Sequence, residues 1–182
     1  MNYLQVDNLS KAYGEKVLFR NISFSIDKGQ KVALIARNGT GKSSLMHILA
    51  GLEAPDSGNI IIRKDLRIGY LQQNPKLDET KTILDTIFST GTSLMKVIHD
   101  YEFALDQVKH NPGTESDNLL NHSISEMDAS GAWDYETRAR EILGQFAIND
   151  LSQPVSKLSG GQRKKIALAR TLLDSPDLLL MD

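Results

Sequence analysis

The feature that most constrains the fold is a glycine-rich loop between a short apolar run and an amphipathic stretch. The run KVALIA at 31–36 is almost unbroken in apolar residues, which predicts a strand buried on both faces. From Lys42 onward apolar residues recur at helical spacing, so the chain is predicted to pass from strand to loop to helix. Gly39 and Gly41 allow successive N–H groups to converge, and the helix start adds its positive dipole end. We therefore predict a phosphate-binding loop, with Lys42 as a point charge and Ser43 as a Mg²⁺ ligand.

The loop fits the pattern G-x-x-x-x-G-K-[ST] except at its first position, where Ala36 replaces glycine. Alanine is acceptable there if its φ is negative, although we expect the narrower turn to weaken nucleotide binding somewhat. The alternative is a structural turn with an exposed lysine, but the position between strand and helix favours the phosphate loop. The candidate nucleotide-binding residues of this segment are Ala36, Arg37, Asn38, Gly39, Thr40, Gly41, Lys42, Ser43 and Ser44.

Composition excludes several classes of protein. With 182 residues, 40% hydrophobic and 24% charged, the chain matches a globular protein, and no apolar run approaches the 18 residues of a membrane span. Lys and Arg total 21 against 23 Asp and Glu, so the net charge of −2 gives no general attraction for nucleic acid. No local nucleic-acid patch is evident either. The absence of cysteine and of a signal segment predicts a cytoplasmic protein.

The rest of the chain alternates between strand-like and helix-like segments. Alternating or continuous apolar residues predict strands around Leu4 and Val6 and at 17–26, 59–63, 67–71 and 177–181. Helical spacing predicts helices at 94–108, 132–147 and 166–173. The segment 110–123 is polar and lies inside this helical block.

A second motif, LSGGQ at 158–162, precedes the last helical stretch. Ser159 is a good N-cap, the paired glycines allow close approach, and the first turn presents free N–H groups to an anion. Alone, such a capped helix start is more often structural, but together with the phosphate loop it favours a second phosphate contact. The basic residues 163–165 are interpreted as a solvated helix face in preference to an RNA contact.

In their order and spacing these motifs resemble an ABC ATPase cassette, over essentially the whole chain. The resemblance implies that Leu158, Ser159, Gly160, Gly161 and Gln162 form the signature that contacts the γ-phosphate held by the opposite cassette of a dimer. It further implies that Tyr13, in KAYGEK, stacks on adenine. Gln73, in IGYLQQNP, resembles the glutamine that joins the metal site to the helical subdomain. Because Gln72 is its neighbour, the choice between the two glutamines stays open.

DLLLMD at 177–182 resembles the Walker B strand of the family, with Asp182 as the carboxylate that holds the Mg²⁺ shell. ATP and Mg²⁺ are the implied cofactors, and Ser43, Gln73 and Asp182 the implied metal ligands. The implied fold is an α/β P-loop NTPase core with an N-terminal antiparallel β region and a helical subdomain. The core is assigned to 1–73 and 175–182, and the helical subdomain, which carries the signature, to 74–174.

The helical block points to a subfamily. The stretch 126–148 resembles that of ABC-F proteins, the soluble twin-cassette ATPases associated with translation, through Trp133, Glu136, Arg138 and Leu143. Its alternative interpretation is an amphipathic helix with a buried tryptophan. The implied parent protein hydrolyses ATP, pairs with a second cassette and acts on the ribosome.

In the family a water-polarising glutamate follows the Walker B aspartate, so no catalytic residue is expected within the 182 residues. We therefore expect a C-terminally truncated first cassette that binds Mg-ATP weakly if at all, turns it over negligibly, and self-associates through the edge of the strand 177–181. One alternative is the ATPase subunit of a membrane transporter, with a permease docked on the helical subdomain. Another is a non-hydrolysing nucleotide-binding or dimerisation module.

Overall fold

The structure, a computed structural model, describes residues 1–88 and 93–182, which form two compact units. Unit 1 consists of Met1–Gln73 together with Ser175–Asp182, and unit 2 of Asn74–Asp174. Unit 1 mixes strands and helix whereas the regular elements of unit 2 are helices, so the predicted α/β class is confirmed.

An antiparallel sheet forms the first part of unit 1. Strand β1 (Asn2–Tyr13) lies between β2 (Lys16–Asp27) and β3 (Ser57–Ile62) and runs antiparallel to both. Tyr13 is paired with Lys16 across a two-residue turn, so Tyr13 lies at the tip of the β1–β2 hairpin. The predicted N-terminal antiparallel region is confirmed.

A two-stranded parallel sheet and one helix complete the regular structure of unit 1. Strands β4 (Ile68–Leu71) and β5 (Leu178–Met181) pair in parallel, and helix α1 (Lys42–Leu49) follows the glycine-rich loop. One apolar core joins them to β1: it contains Leu4, Val6, Leu9, Leu45, Ile48, Leu49, Leu178 and Leu180, all less than a tenth exposed. Each such side chain contributes roughly 1.5–3 kcal/mol, so this core fixes both the loop that precedes α1 and the end of β5.

The buried strand predicted at 31–36 is wrong. These residues have no strand structure, and Val32 and Ile35 are 62% and 92% exposed. Within the ranges 1–88 and 93–182 no strand pairs with this segment, whereas a strand is stable only when a neighbour satisfies its N–H and C=O groups. The apolar side chains of Val32 and Ile35 therefore lie at the surface.

Unit 2 is a packed set of helices. They are α2 (Ile83–Phe88), α3 (Ser93–His110), α4 (Thr114–Ser130), α5 (Trp133–Gln145) and α6 (Gly160–Leu173), with a 3₁₀ turn at Val155–Lys157. The helices predicted at 94–108, 132–147 and 166–173 correspond to α3, α5 and α6. Their shared core includes Phe88, Ile98, Met127, Leu143, Ile166 and Leu173.

Most of the polar segment 110–123 belongs to α4, a helix that the sequence pattern did not predict. Two residues on its buried face are serines whose hydroxyls donate to the helix's own backbone: Ser116 to Gly113 O and Ser123 to Leu120 O, each at 2.8 Å. A small polar residue that satisfies its hydroxyl in this way can be buried without an unpaired group. The apolar period that signals a helix was therefore missing.

Within the described part of the chain, no helix combines the length and apolar character needed to cross a membrane.

Candidate nucleotide-binding site

The phosphate loop of unit 1 depends on glycine at one position in particular. Gly41 is the N-cap of α1 with φ of +93°, and a Cβ added there would lie 2.7 Å from Leu18 Cβ. Both the left-handed conformation and the close approach exclude a larger residue. The loop consequently delivers the chain into α1 with the first backbone N–H groups of the helix free to bind an anion.

Lys42 lies across the loop that precedes it. Its Nζ donates to Ala36 O at 2.8 Å, to Arg37 O at 2.9 Å and, at 3.5 Å, to Asn38 Oδ1. The Thr40 hydroxyl also donates to Arg37 O, at 2.7 Å. These bonds hold the Lys42 ammonium beside the loop backbone, where it could donate a charge-assisted hydrogen bond to a phosphate group.

Ala36 has the negative φ that an alanine needs at the first position of the loop. The non-glycine residues with positive φ in the described chain are Asn8, Asn21, Ala147 and Ser175, so Ala36 keeps a negative φ. An alanine at this point of the loop is therefore unstrained.

The structure brings together two residues that are 139 positions apart. Ser43 Oγ, in the first turn of α1, donates to Asp182 Oδ1 at 3.0 Å. Asp182 is held in place because its N–H donates to Leu71 O at 3.0 Å, which continues the β4–β5 pairing past the end of β5. The Asp182 charge also contributes, after burial, to raising the pKa of Tyr70 on β4. A hydroxyl and a carboxylate thus meet at the helix N-terminus.

Two other predicted site residues are placed differently. Gln73 lies exposed two residues after β4, and among the hydrogen bonds of residues 1–88 and 93–182 none joins it to Ser43 or Asp182. Ser44 lies in the first turn of α1, partly buried. The structure therefore assembles Ser43 with Asp182 and leaves Gln73 outside that contact.

Tyr13 at the hairpin tip is 53% exposed, and its hydroxyl donates to Glu53 Oε1 at 2.5 Å. Lys11 Nζ lies 5.5 Å from the centre of its ring. The hydrogen bond from Tyr13, followed by that from Lys11, lowers the pKa of the Glu53 carboxyl, so Glu53 is ionised at neutral pH. Sequence reasoning missed Glu53, because an acidic residue after α1 carries no motif that connects it to a tyrosine 40 positions earlier.

The signature residues lie in unit 2, at the start of α6. Ser159 is the N-cap, and a reciprocal capping box forms: the Gln162 N–H donates to Ser159 Oγ at 3.3 Å, and the Ser159 N–H donates to Gln162 Oε1 at 2.9 Å. A Cβ added at Gly160 or Gly161 would meet nothing within 4 Å. Packing against residues 1–88 and 93–182 therefore does not require glycine at either position.

Two of the three basic residues at 163–165 have partners in unit 2. Arg163 Nη1 donates to Glu79 Oε1 at 2.5 Å, and Lys165 Nζ donates to Phe146 O at 3.3 Å. Lys164 is exposed and has no partner among the residues that the structure describes.

The sequence matches the protein family described as "ABC transporter" over residues 19–182. The chain belongs to this family. It is 39% identical over its whole length to "Uncharacterized ABC transporter ATP-binding protein YfmR" of Bacillus subtilis, and covers 29% of that protein. It is 32% identical to "Energy-dependent translational throttle protein EttA" of Mycobacterium tuberculosis, which aligns with 94% of the chain and of which the chain covers 31%.

A third relative of this ABC chain is "ABC transporter F family member 2" of Arabidopsis thaliana, at 29% identity over 98% of the chain and 28% of that protein. Its name confirms the resemblance to the ABC-F subfamily. The solved structure titled "Structure of ATP binding subunit of ABC transporter" aligns with a TM-score of 0.67 and 22% identity, over 99% of the chain and 65% of the solved chain. It confirms the ABC fold. The chain spans about three-tenths of the length of the relatives named here.

Proposed function

We propose that the chain is an ATP-binding cassette that binds Mg-ATP, although weakly, at the loop 36–44. The observation that carries the proposal is the 3.0 Å contact of Ser43 Oγ with Asp182 Oδ1, beside a lysine held by its own loop. The loop amides and Lys42 bind the phosphates, and Tyr13 offers its exposed ring to the base. Ala36 fits this arrangement because it keeps a negative φ.

The donor atoms at this point suit magnesium. A hydroxyl and a carboxylate are hard oxygen ligands, and Mg²⁺ is normally held by one or two such groups together with substrate phosphates and water. No group of three or more His, Cys, Asp or Glu side chains in the described residues is arranged to bind a metal alone, which fits a cation that arrives with a nucleotide. When bound, Mg²⁺ would neutralise phosphate charge; Ser43 and Asp182 would hold it, with Gln73 as a further candidate ligand.

We further propose that the parent protein hydrolyses ATP together with a second cassette. Gly160 and Gly161 support this part of the proposal, because an open pair of glycines at a helix N-terminus allows close approach by a phosphate group from another molecule. Leu158, Ser159 and Gln162 would complete that contact. The name of EttA supports an action in translation, and the proposed location is cytoplasmic.

Calorimetric titration of Mg-ATP into the chain tests the nucleotide site. We expect Lys42→Ala to weaken binding by at least about tenfold, the usual loss for a charge-assisted contact to phosphate. Lys64→Ala removes another exposed lysine of unit 1, outside the loop, and is the matched control. Equal affinity of the Lys42→Ala variant and the wild type would reject the site.

Sedimentation with ribosomes tests the action in translation. The full-length gene product should sediment with ribosomes when a slowly hydrolysed ATP analogue is present, and remain in the supernatant without nucleotide. Nucleotide-independent behaviour would count against this part of the proposal while leaving the ATP site intact.

A further inference from the structure

We propose that Glu53 is a positioning residue that holds the Tyr13 ring in place to stack on the base of the bound nucleotide. The inference rests on the proposed nucleotide site and adds a residue to it. It concerns only contacts within unit 1.

Tyr13 needs a restraint if its ring is to keep one orientation. It lies at the tip of a hairpin, next to a two-residue turn, and more than half of its side chain is exposed. An exposed aromatic side chain at such a tip samples several rotamers, and ordering it on binding costs free energy. The 2.5 Å hydrogen bond from its hydroxyl to Glu53 removes that freedom before the nucleotide arrives.

The Glu53 side chain is itself held in place by Lys11. Lys11 Nζ lies 3.0 Å from Glu53 Oε1 and 3.4 Å from Asp56 Oδ1, and it donates to Ala54 O at 2.8 Å. The side chains of Lys11 and Glu53 are only 11% and 21% exposed, so solvent screens their pairing less than that of a surface pair. The carboxylate therefore provides a rigid acceptor.

The two faces of the Tyr13 ring have different surroundings. The Lys11 ammonium lies over one face, 5.5 Å from the centroid, in a cation–π contact. A base can then stack only on the opposite face. Together, the hydroxyl tether and the occupied face fix both the rotation of the ring and the side from which a base approaches.

A purely structural role would be different: Glu53 would only tie the end of β1 to the segment after α1. Asp56 already makes such a tie, because its Oδ2 accepts the Ala12 N–H at 2.8 Å. The two roles are separable, since positioning of the ring affects ligands with a base and leaves ligands without one unchanged.

The test compares ATP with inorganic tripolyphosphate in calorimetric titrations of the whole chain. We expect Glu53→Ala and Tyr13→Phe each to weaken ATP binding about threefold to fivefold, with tripolyphosphate affinity unchanged, because only base stacking loses its preorganised partner. The double variant should bind ATP no more weakly than either single variant, because both changes break the same hydrogen bond. Glu53→Gln keeps an acceptor oxygen for the tyrosine and should restore affinity to within about twofold of the wild type.

Three results would overturn the inference: unchanged ATP affinity of Glu53→Ala, an equal loss for ATP and tripolyphosphate, or additive losses in the double variant. Failure of the proposed function has a separate signature. If the wild type does not bind ATP, or if Tyr13→Ala binds it as the wild type does, the base site itself is rejected and the inference with it.

Discussion

Replacement of Glu102 by glutamine should stabilise the protein above neutral pH. Glu102 lies on α3 with its side chain 12% exposed, and Arg140 Nη2 donates to it at 2.7 Å. Arg140 Nε also bonds to the buried Glu136, so one guanidinium serves two carboxylates. Burial above all, together with a smaller contribution from the neighbouring Glu136, raises the pKa of Glu102 to about 7 against the attraction of Arg140.

The sign of the effect follows from proton binding. Because the pKa of Glu102 in the folded protein exceeds the ordinary glutamate value of 4.5, the folded state binds this proton more tightly than the unfolded state. The contribution of the protonated carboxyl to stability is therefore complete below the unfolded pKa and is lost as the pH rises to about 7 and beyond. At about 1.4 kcal/mol for each pKa unit, the ionised carboxylate costs about 3 kcal/mol at about pH 8.

Urea unfolding measures this cost, and the single tryptophan is a suitable probe. Trp133 on α5 contacts Tyr101 on α3 edge-to-face with ring centres 5.1 Å apart, so its fluorescence reports the packing beside Glu102. We expect the free energy of unfolding of the Glu102→Gln variant to exceed that of the wild type by about 3 kcal/mol at about pH 8 and to match it near pH 4.5. Glu141→Gln, at an exposed position of α5, should change stability by less than about 0.5 kcal/mol at either pH. A Glu102→Gln variant less stable than the wild type at about pH 8 would show that the ion pair outweighs burial, and would refute the reasoning.

Three further predictions concern the loop, the signature helix and the exposed segment. Gly41→Ala should lower the free energy of unfolding by about 1–3 kcal/mol and weaken ATP binding, because its Cβ would meet Leu18; a fully stable variant would contradict the close approach. Ser159→Ala should cost about 1 kcal/mol in urea unfolding through loss of the bond from the Gln162 N–H, and no loss would mean that the cap is not maintained in solution. Ile35→Asp should change the free energy of unfolding by less than about 0.5 kcal/mol, because Ile35 is 92% exposed; a clear loss of stability would show that this side chain is packed in solution.

The phosphate loop and the capped start of α6 were predictable from the sequence because each depends on residues close together in the chain. Gly41 must adopt positive φ to start a helix from a tight loop, and Ser159 with Gln162 three residues later is sufficient to predict a capped helix. These features involve neighbouring residues, so their pattern can be read without knowledge of the tertiary structure.

Features that depend on distant partners were not predictable in the same way. The run 31–36 has the composition of a buried strand, but composition does not reveal whether a neighbouring strand is present to pair with it. Helix α4 was missed for a local reason instead: its buried face carries serines that donate to the helix's own backbone, which removes the apolar period. The Tyr13–Glu53 bond joins two segments whose proximity depends on the path of the chain after α1.

The Mg²⁺ dependence of ATP affinity in Ser43→Ala, Asp182→Asn and the double variant tests the central claim most directly. If the serine and the aspartate hold one cation, each single variant should lose most of the gain in affinity that Mg²⁺ provides, about tenfold, and the double variant should lose no more. All variants should retain the weaker, Mg²⁺-independent binding supplied by Lys42 and the loop amides. Full Mg²⁺ dependence in either single variant, or additive losses in the double variant, would contradict a shared metal site at the contact between Ser43 and Asp182.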